Sequence, residues 1–476
     1  MVNRIQRWLG WMLKVNRVAG PDPGLRTRTA FARVLPDQVV RPVHPSTIQR
    51  WEAGSLRAPR GAITRYERLL ALPTGTLTSI FDLLEQLGRT PLTVPARNTA
   101  LPAGRINQLL ELACSPDEVI SGAEWDELTG LLDARPMAFL PQPLWEAIAE
   151  RLLVEMLIAC GTPWNLRYAA FNRLVVHPSG QEAVIDVCAA TAALPDHQVM
   201  TSTVAALGAS DHAYAITVLL RQLAEPTNDK ALTGAVIALA AAADRGRLEA
   251  YDQARADAAL QAFRSPARPF VRPDDRRTAM VNGIAARTSA VDESGTGELD
   301  VLSELVDGLL FDADSEIRVA AAALLAATPY KRSLAAALRA ELMKPSTLTG
   351  DPEWSSTLLA ALRYVGGEPE LRLAQLMVTA DGLPAETVRV AAFAIAHLDG
   401  KAPDSWWNHA IEKHLRQAAR RESAEILSGL AYSAGITGHL PTLERLRLDA
   451  RAPHEAQTAA SWWLNLPSQI TAGAQT

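Results

Sequence analysis

Residues 45–59 read Pro45-Ser46-Thr47-Ile48-Gln49-Arg50-Trp51-Glu52-Ala53-Gly54-Ser55-Leu56-Arg57-Ala58-Pro59. Ile48 and Trp51 are three residues apart, so on a helix they share one face and turn inward. Gln49 and Arg50 then lie on the exposed face. Ser46 is placed to cap the helix at its start, and Gly54 to stop it at its end. The stretch therefore predicts a short helix with an apolar inner side and a polar outer one.

The flanking sequence predicts more short helices. From Asn3 to Val18, Ile5, Trp8, Leu9, Met12 and Leu13 form an apolar stripe at helical spacing, broken by Pro21, Pro23 and Gly24. Thr27 to Leu35 reads as a second helix, with Phe31, Ala32 and Leu35 inward and Pro36 at its end. A loop with Arg41 and Pro42 leads to the quoted stretch. Ile63–Leu72 and Leu77–Leu87 complete a helical module of about 90 residues.

The run from Pro45 to Gly54, with Arg57 and Pro59 behind it, resembles the recognition-helix signature of Cro/CI-like (XRE family) helix-turn-helix domains. Thr29-Ala30-Phe31-Ala32-Arg33-Val34-Leu35 is similar to the first helix of that motif. One departure is the stretch between Ala32 and Ile48, which is longer than the family's tight turn and holds Pro36, Pro42 and Pro45. The resemblance implies a helix entering the major groove of double-stranded DNA. It assigns Ser46, Thr47, Gln49 and Arg50 to the base-facing side, Arg50 toward guanine and Gln49 toward adenine. Arg28, Arg41, Arg57 and Arg60 are the corresponding phosphate contacts. Such heads read two-fold symmetric sites, which implies a homodimer.

Charge agrees with a polyanion-binding head. Residues 1–110 carry 16 basic and 6 acidic side chains, a net of +10, and the rest of the chain carries 31 and 46, a net of −15. The basic residues are 41 Arg and only 6 Lys, a compositional hint of a high-GC bacterial source.

The remainder of the 476 residues is rich in Ala and Leu, with 48% hydrophobic and only 5% aromatic residues and a mean hydropathy of +0.01. That balance supplies a core and favours packed helices over sheets. Three segments repeat an Arg-x-Ala-Ala pattern: Leu166-Arg167-Tyr168-Ala169-Ala170-Phe171, Ile317-Arg318-Val319-Ala320-Ala321-Ala322 and Val388-Arg389-Val390-Ala391-Ala392-Phe393. These resemble the second helix of HEAT repeats, in which small residues let helices stack and the Arg braces the preceding turn. Weaker copies fall around Met200, Leu232, Arg277, Ser355, Glu425 and Gln457, at a period of roughly 32–45 residues.

The expected fold is all-α: a helix-turn-helix domain at 1–90, a helical connector at 91–160 and an α-solenoid of HEAT-like two-helix repeats at 161–476. Pro91, Pro95 and Pro102 mark the first boundary, and a basic loop at 264–277 is a candidate second contact for DNA or a partner.

Other chemistry finds little support. Phosphate-binding glycine motifs are absent from the sequence. His409 and His414 flank Glu412, but five residues on a helix separate them by about 140°, so they do not share a face. Cys114, Cys160 and Cys188 have neither metal-clip nor redox spacing and read as reduced thiols. Trp406-Trp407 and Trp462-Trp463 read as packing between repeats. No run reaches the ~20 apolar residues of a membrane span. The reading is a cytoplasmic, non-enzymatic transcriptional regulator without cofactor or metal, whose repeats dimerise, sense a small ligand or hold a protein partner. The alternatives are an interaction scaffold with a degenerate helix-turn-helix and a HEAT-like DNA glycosylase, the latter opposed by the acidic array.

Overall fold

The computed structural model describes residues 2–35, 43–87, 103–135, 137, 140–195, 197–198, 200–210, 212–244, 246, 248, 252–254, 256, 258, 274–289, 297–312 and 314–476. Among them every regular element is a helix and there is no strand. The all-α class read from composition is thus the class observed. Arg41, Pro36, Pro42, the three boundary prolines and residues 264–273 of the basic loop lie outside the described residues.

By contact the chain forms two units. The first comprises Met1–Arg89, Pro269–Gly438 and Ala450–Pro453. The second comprises Thr90–Arg268, His439–Asp449 and His454–Thr476. This grouping differs from the linear division into head, connector and array, because residues 1–89 pack with helices more than 200 residues away in sequence.

The first unit begins with helices α1 (Val2–Val18), α2 (Arg28–Val34), α3 (Pro45–Glu52), α4 (Arg60–Leu69) and α5 (Thr76–Leu87). Thr27 caps α2 by accepting from the Ala30 N–H at 3.2 Å. The cap of α3 is His44 rather than Ser46: its Nδ1 accepts from the Ser46 N–H at 3.2 Å. Pro45 takes the first helical position, where its fixed φ and missing N–H cost nothing, so the capping role moves back two residues, to His44.

α1 is apolar on more than the expected stripe. Ile5, Trp8, Leu9, Met12, Leu13 and Val15 are buried, and so is Trp11. A helix apolar on several sides needs neighbours on several sides. One side of α1 packs on α3, α4 and α5. The other meets the Gly297–Phe311 helix and the turn before Lys331: Trp11 stacks on Tyr330 with centroids 5.8 Å apart and an interplanar angle of 11°. Arg4 Nε lies 2.7 Å from Glu304, Arg7 pairs with the same carboxylate, and Asn16 Nδ2 donates to the Ala327 carbonyl at 3.1 Å. α5 packs on the Ser315–Ala326 helix.

Farther along this unit, the Lys331–Leu342, Pro352–Val365, Ala385–Ala394 and Arg421–Ile436 helices pack in series, each on the next. The Glu368–Thr379 and Asp404–Leu415 helices back the last two. Ala391 and Ala392 are fully buried where these helices approach. Ser433 Oγ donates to the Ala392 carbonyl at 2.6 Å and accepts from the Ala396 N–H at 3.1 Å.

The second unit buries Trp125, Trp145, Ile148, Leu152 and Phe171 among the helices between Ala103 and Asp244. Its last helix, Ser468–Gly473, packs on Gln142–Ile158. At the centre Glu155 is fully buried, accepting from Arg151 Nε at 2.9 Å, Arg167 Nε at 3.2 Å and Trp125 Nε1 at 2.8 Å. Arg167 also donates to the carbonyls of Ile120, Pro163 and Gly473.

The three arginines of the Arg-x-Ala-Ala segments do three different things. Arg318 braces the preceding turn by donating to the Asp312 carbonyl. Arg167 sits in the buried ion cluster just described. Arg389 pairs with Glu386 in the first turn of its own helix. Each weaker repeat position also falls within a helix. Trp407 and Trp463 are buried, and Trp406 Nε1 donates to the Gln375 carbonyl across a helix pair.

Candidate nucleic-acid interface

α3 has two sharply different faces. Ile48, Trp51 and Glu52 point inward, while Ser46, Gln49 and Arg50 are exposed and Thr47 is half-buried. The inward residues follow the i, i+3, i+4 spacing of one helix face. Glycine governs the contact with α1. A Cβ on Gly10 would come within 2.7 Å of the Trp51 and Glu52 carbonyls, and Gly54 itself has φ +69° and faces the Gln6 carbonyl. Two side-chain-free positions thus let α1 touch the end of α3 backbone to backbone.

Glu52 anchors the helix. Its side chain is fully buried and accepts from Arg17 Nε at 2.5 Å, Arg17 Nη2 at 2.9 Å and Arg28 Nε at 2.7 Å. The Tyr66 hydroxyl stands 3.5 Å away. Burial, then the Glu52 charge, raises the Tyr66 pKa far above that of a free phenol, so it stays a neutral donor. This network fastens the end of α3 to α1, α2 and α4.

The eight residues assigned from sequence separate in the structure. Ser46, Gln49 and Arg50 share the outward face of α3, and Arg50 forms no ion pair among the described residues. The Ser46 hydroxyl lies 2.7 Å from His44 Nδ1, so it is tied to the cap. Thr47 flanks them. Arg57 is exposed, its guanidinium 5.6 Å above the Phe81 ring. Arg28 is engaged by Glu52, and Arg60 by Asp82. Both are half-buried and hold the module together, so they stand apart from the exposed set. Arg41 lies outside the described residues.

Sequence reading missed Arg26, Arg33 and Arg68. All three are exposed and none forms an ion pair among the described residues. Arg33 sits on α2, two residues past buried Phe31 and therefore on the opposite side of the helix. That spacing was readable in the sequence, but the motif directed attention to α3.

Elsewhere the chemistry is sparse. His414 is buried, with Nε2 3.0 Å from the Val378 carbonyl, while His409 is exposed. Among the described residues no three His, Cys, Asp or Glu side chains converge as a metal site would require. Cys188 is buried, and burial pushes its thiol up to about 12; Cys114 and Cys160 are half-buried. No helix is long and apolar enough to cross a membrane among the described residues.

No family model matches the chain, and no curated protein is significantly similar to it.

Proposed function

We propose that this chain is a sequence-specific DNA-binding transcriptional regulator of the cytoplasm, acting as a homodimer. The observation that carries the reading is the division of α3. Its inner face is locked by Ile48, Trp51 and the buried Glu52 network, and its outer face presents Gln49 and Arg50 to solvent. A rigid helix with exposed bidentate side chains is what base readout in the major groove requires. Arg26, Arg33 and Arg68, exposed and without an ion pair among the described residues, suit phosphates, and the net +10 of residues 1–110 supports the same polyanion. HEAT-like repeats in the acidic remainder would supply dimerisation, ligand sensing or partner binding.

The test is selection of fragmented genomic DNA by the purified full chain at two salt concentrations, with bound fragments sequenced. A recurrent, two-fold symmetric motif retained at the higher salt is the expected result. Salt-labile binding without a motif would replace the regulator by a non-specific or lesion-directed DNA protein. Absence of binding would leave an interaction scaffold, a role consistent with the engagement of Arg28 and Arg60 by carboxylates.

A further inference from the structure

Three partly buried arginines in the 269–438 stretch are matched with carboxylates, Arg277 with Asp307, Arg339 with Glu370 and Arg389 with Glu386, and Arg318 is held by the Asp312 carbonyl. Arg363 departs from this pattern. It is half-buried near the end of the Pro352–Val365 helix and forms no ion pair among the described residues. Its Nη2 stands 2.9 Å from His397 Nε2, and its Nε is buried without an acceptor. The Tyr432 hydroxyl lies 3.1 Å from the same imidazole nitrogen.

His397 is neutral, because burial and then the Arg363 charge hold its pKa well below the ordinary value. Its Nε2 lone pair therefore accepts from Arg363 Nη2 and contributes no negative charge, and the Tyr432 proton is left to turn toward a ligand. The C-terminal end of a helix steadies a nearby cation, but it leaves the remaining guanidinium donors open. Aromatic rings wall the cluster: Tyr432 is 5.8 Å from His397 and 5.5 Å from Phe393 between centroids. Phe393 fits because position 429 is glycine, where a Cβ would come 2.9 Å from its ring. Arg363, Phe393, His397 and Tyr432 are all partly exposed, so the cluster opens to solvent.

A guanidinium with open donors and no carboxylate matches the planar or trigonal oxygens of a carboxylate or phosphate, and the adjacent rings match a planar apolar body. We propose that Arg363, Phe393, His397 and Tyr432 form a binding site for a small organic anion, a carboxylate or phosphate monoester carried on a planar ring. Arg363 takes the anionic oxygens, the Tyr432 hydroxyl donates to one of them, Phe393 packs on the ring, and His397 orients the two donors. The site lies outside the DNA-reading helix and does not depend on that reading.

The test is calorimetric titration of the full chain, without DNA, using phenyl phosphate, benzoate and inorganic phosphate. Phenyl phosphate or benzoate should bind, and whichever is tighter distinguishes a phosphate ligand from a carboxylate one. Arg363→Gln should weaken that binding on the order of tenfold or more, and Tyr432→Phe, which keeps the ring, by less. Thermal melts of both variants without ligand verify that they fold. Absence of binding by both ring-bearing anions, or binding unchanged in a folded Arg363→Gln, would overturn the site. Equal affinity for inorganic phosphate and phenyl phosphate would overturn the assignment of a ring to the ligand.

Discussion

Glu52 and Glu155 are both fully buried carboxylates held between two arginines, one in each unit of the chain. Glu52 is served by Arg17, Arg28 and the Tyr66 hydroxyl, all within the first 66 residues. Glu155 is served by Arg151, Arg167 and Trp125, and Arg167 reaches on to the Gly473 carbonyl, 306 residues away. The first network fixes one short helix in its module. The second fixes the end of the chain to its middle. The two also differ in exposure: the Arg28 side chain is 37% exposed, whereas Arg167 is fully buried. A buried charge depends heavily on its partners, and a partly exposed partner can be replaced by water.

The largest effect should come from Arg167→Leu, which leaves Glu155 buried with one cation and frees three carbonyls. We expect the second unit to lose about 3–5 kcal/mol of stability, read by denaturant titration with tryptophan fluorescence. A loss below about 1 kcal/mol would mean that the two networks are not comparable. Arg17→Ala should cost about 3 kcal/mol, toward the lower end of that range because Arg28 still pairs with Glu52. Arg28→Ala should cost about 1 kcal/mol or less, since solvent already reaches its guanidinium.

Acid should act on the second unit through a different buried group. Burial, then the Lys230 charge, lowers the pKa of His197 from 6.5 to about 4. The unfolded chain takes up this proton below pH 6.5, and the folded chain resists it down to about pH 4. Stability from this group is therefore complete above pH 6.5 and is lost as pH falls toward 4, by up to about 3 kcal/mol. Thermal melts across that window should show a steeper decline for the native chain than for His197→Gln.

In the first unit, the Glu52 network holds α3 from its buried side and leaves the outward residues exposed, so on the proposed function those residues should separate stability from recognition. Arg50→Ala should leave the melting temperature nearly unchanged while costing about 1–3 kcal/mol of operator affinity and relaxing sequence preference. Unchanged preference would mean that another element reads the bases. The smallest effect should be that of Arg57→Ala: binding to all sequences weakens modestly, and the salt-dependence slope falls by about one.

Much of the head was legible because its signals are local. Helix spacing, Gly54 and the inward pair Ile48 and Trp51 are all read within ten residues, and the structure places each as expected. The cap lies two residues before Ser46, at His44, because Pro45 occupies the first helical position. The carboxylate partners of Arg28 and Arg60 were not legible, because a sequence shows charge without its partner; Glu52 and Asp82 are 24 and 22 residues away. The second apolar side of α1 was visible as Trp11, yet nothing in residues 1–90 names Tyr330 as its neighbour.

By itself, then, the sequence determined the helical class, the two-faced character of α3 and the basic charge of the first 110 residues. These follow from composition, from the 3.6-residue period and from counting charges. Only the tertiary structure decided that residues 1–89 pack with helices after Pro269, that Arg167 serves Glu155 and Gly473, and that Arg363 meets His397 and Tyr432 without a carboxylate. Burial and ion pairing join residues distant along the chain, and a local pattern fixes which face of a helix is apolar without fixing what covers it.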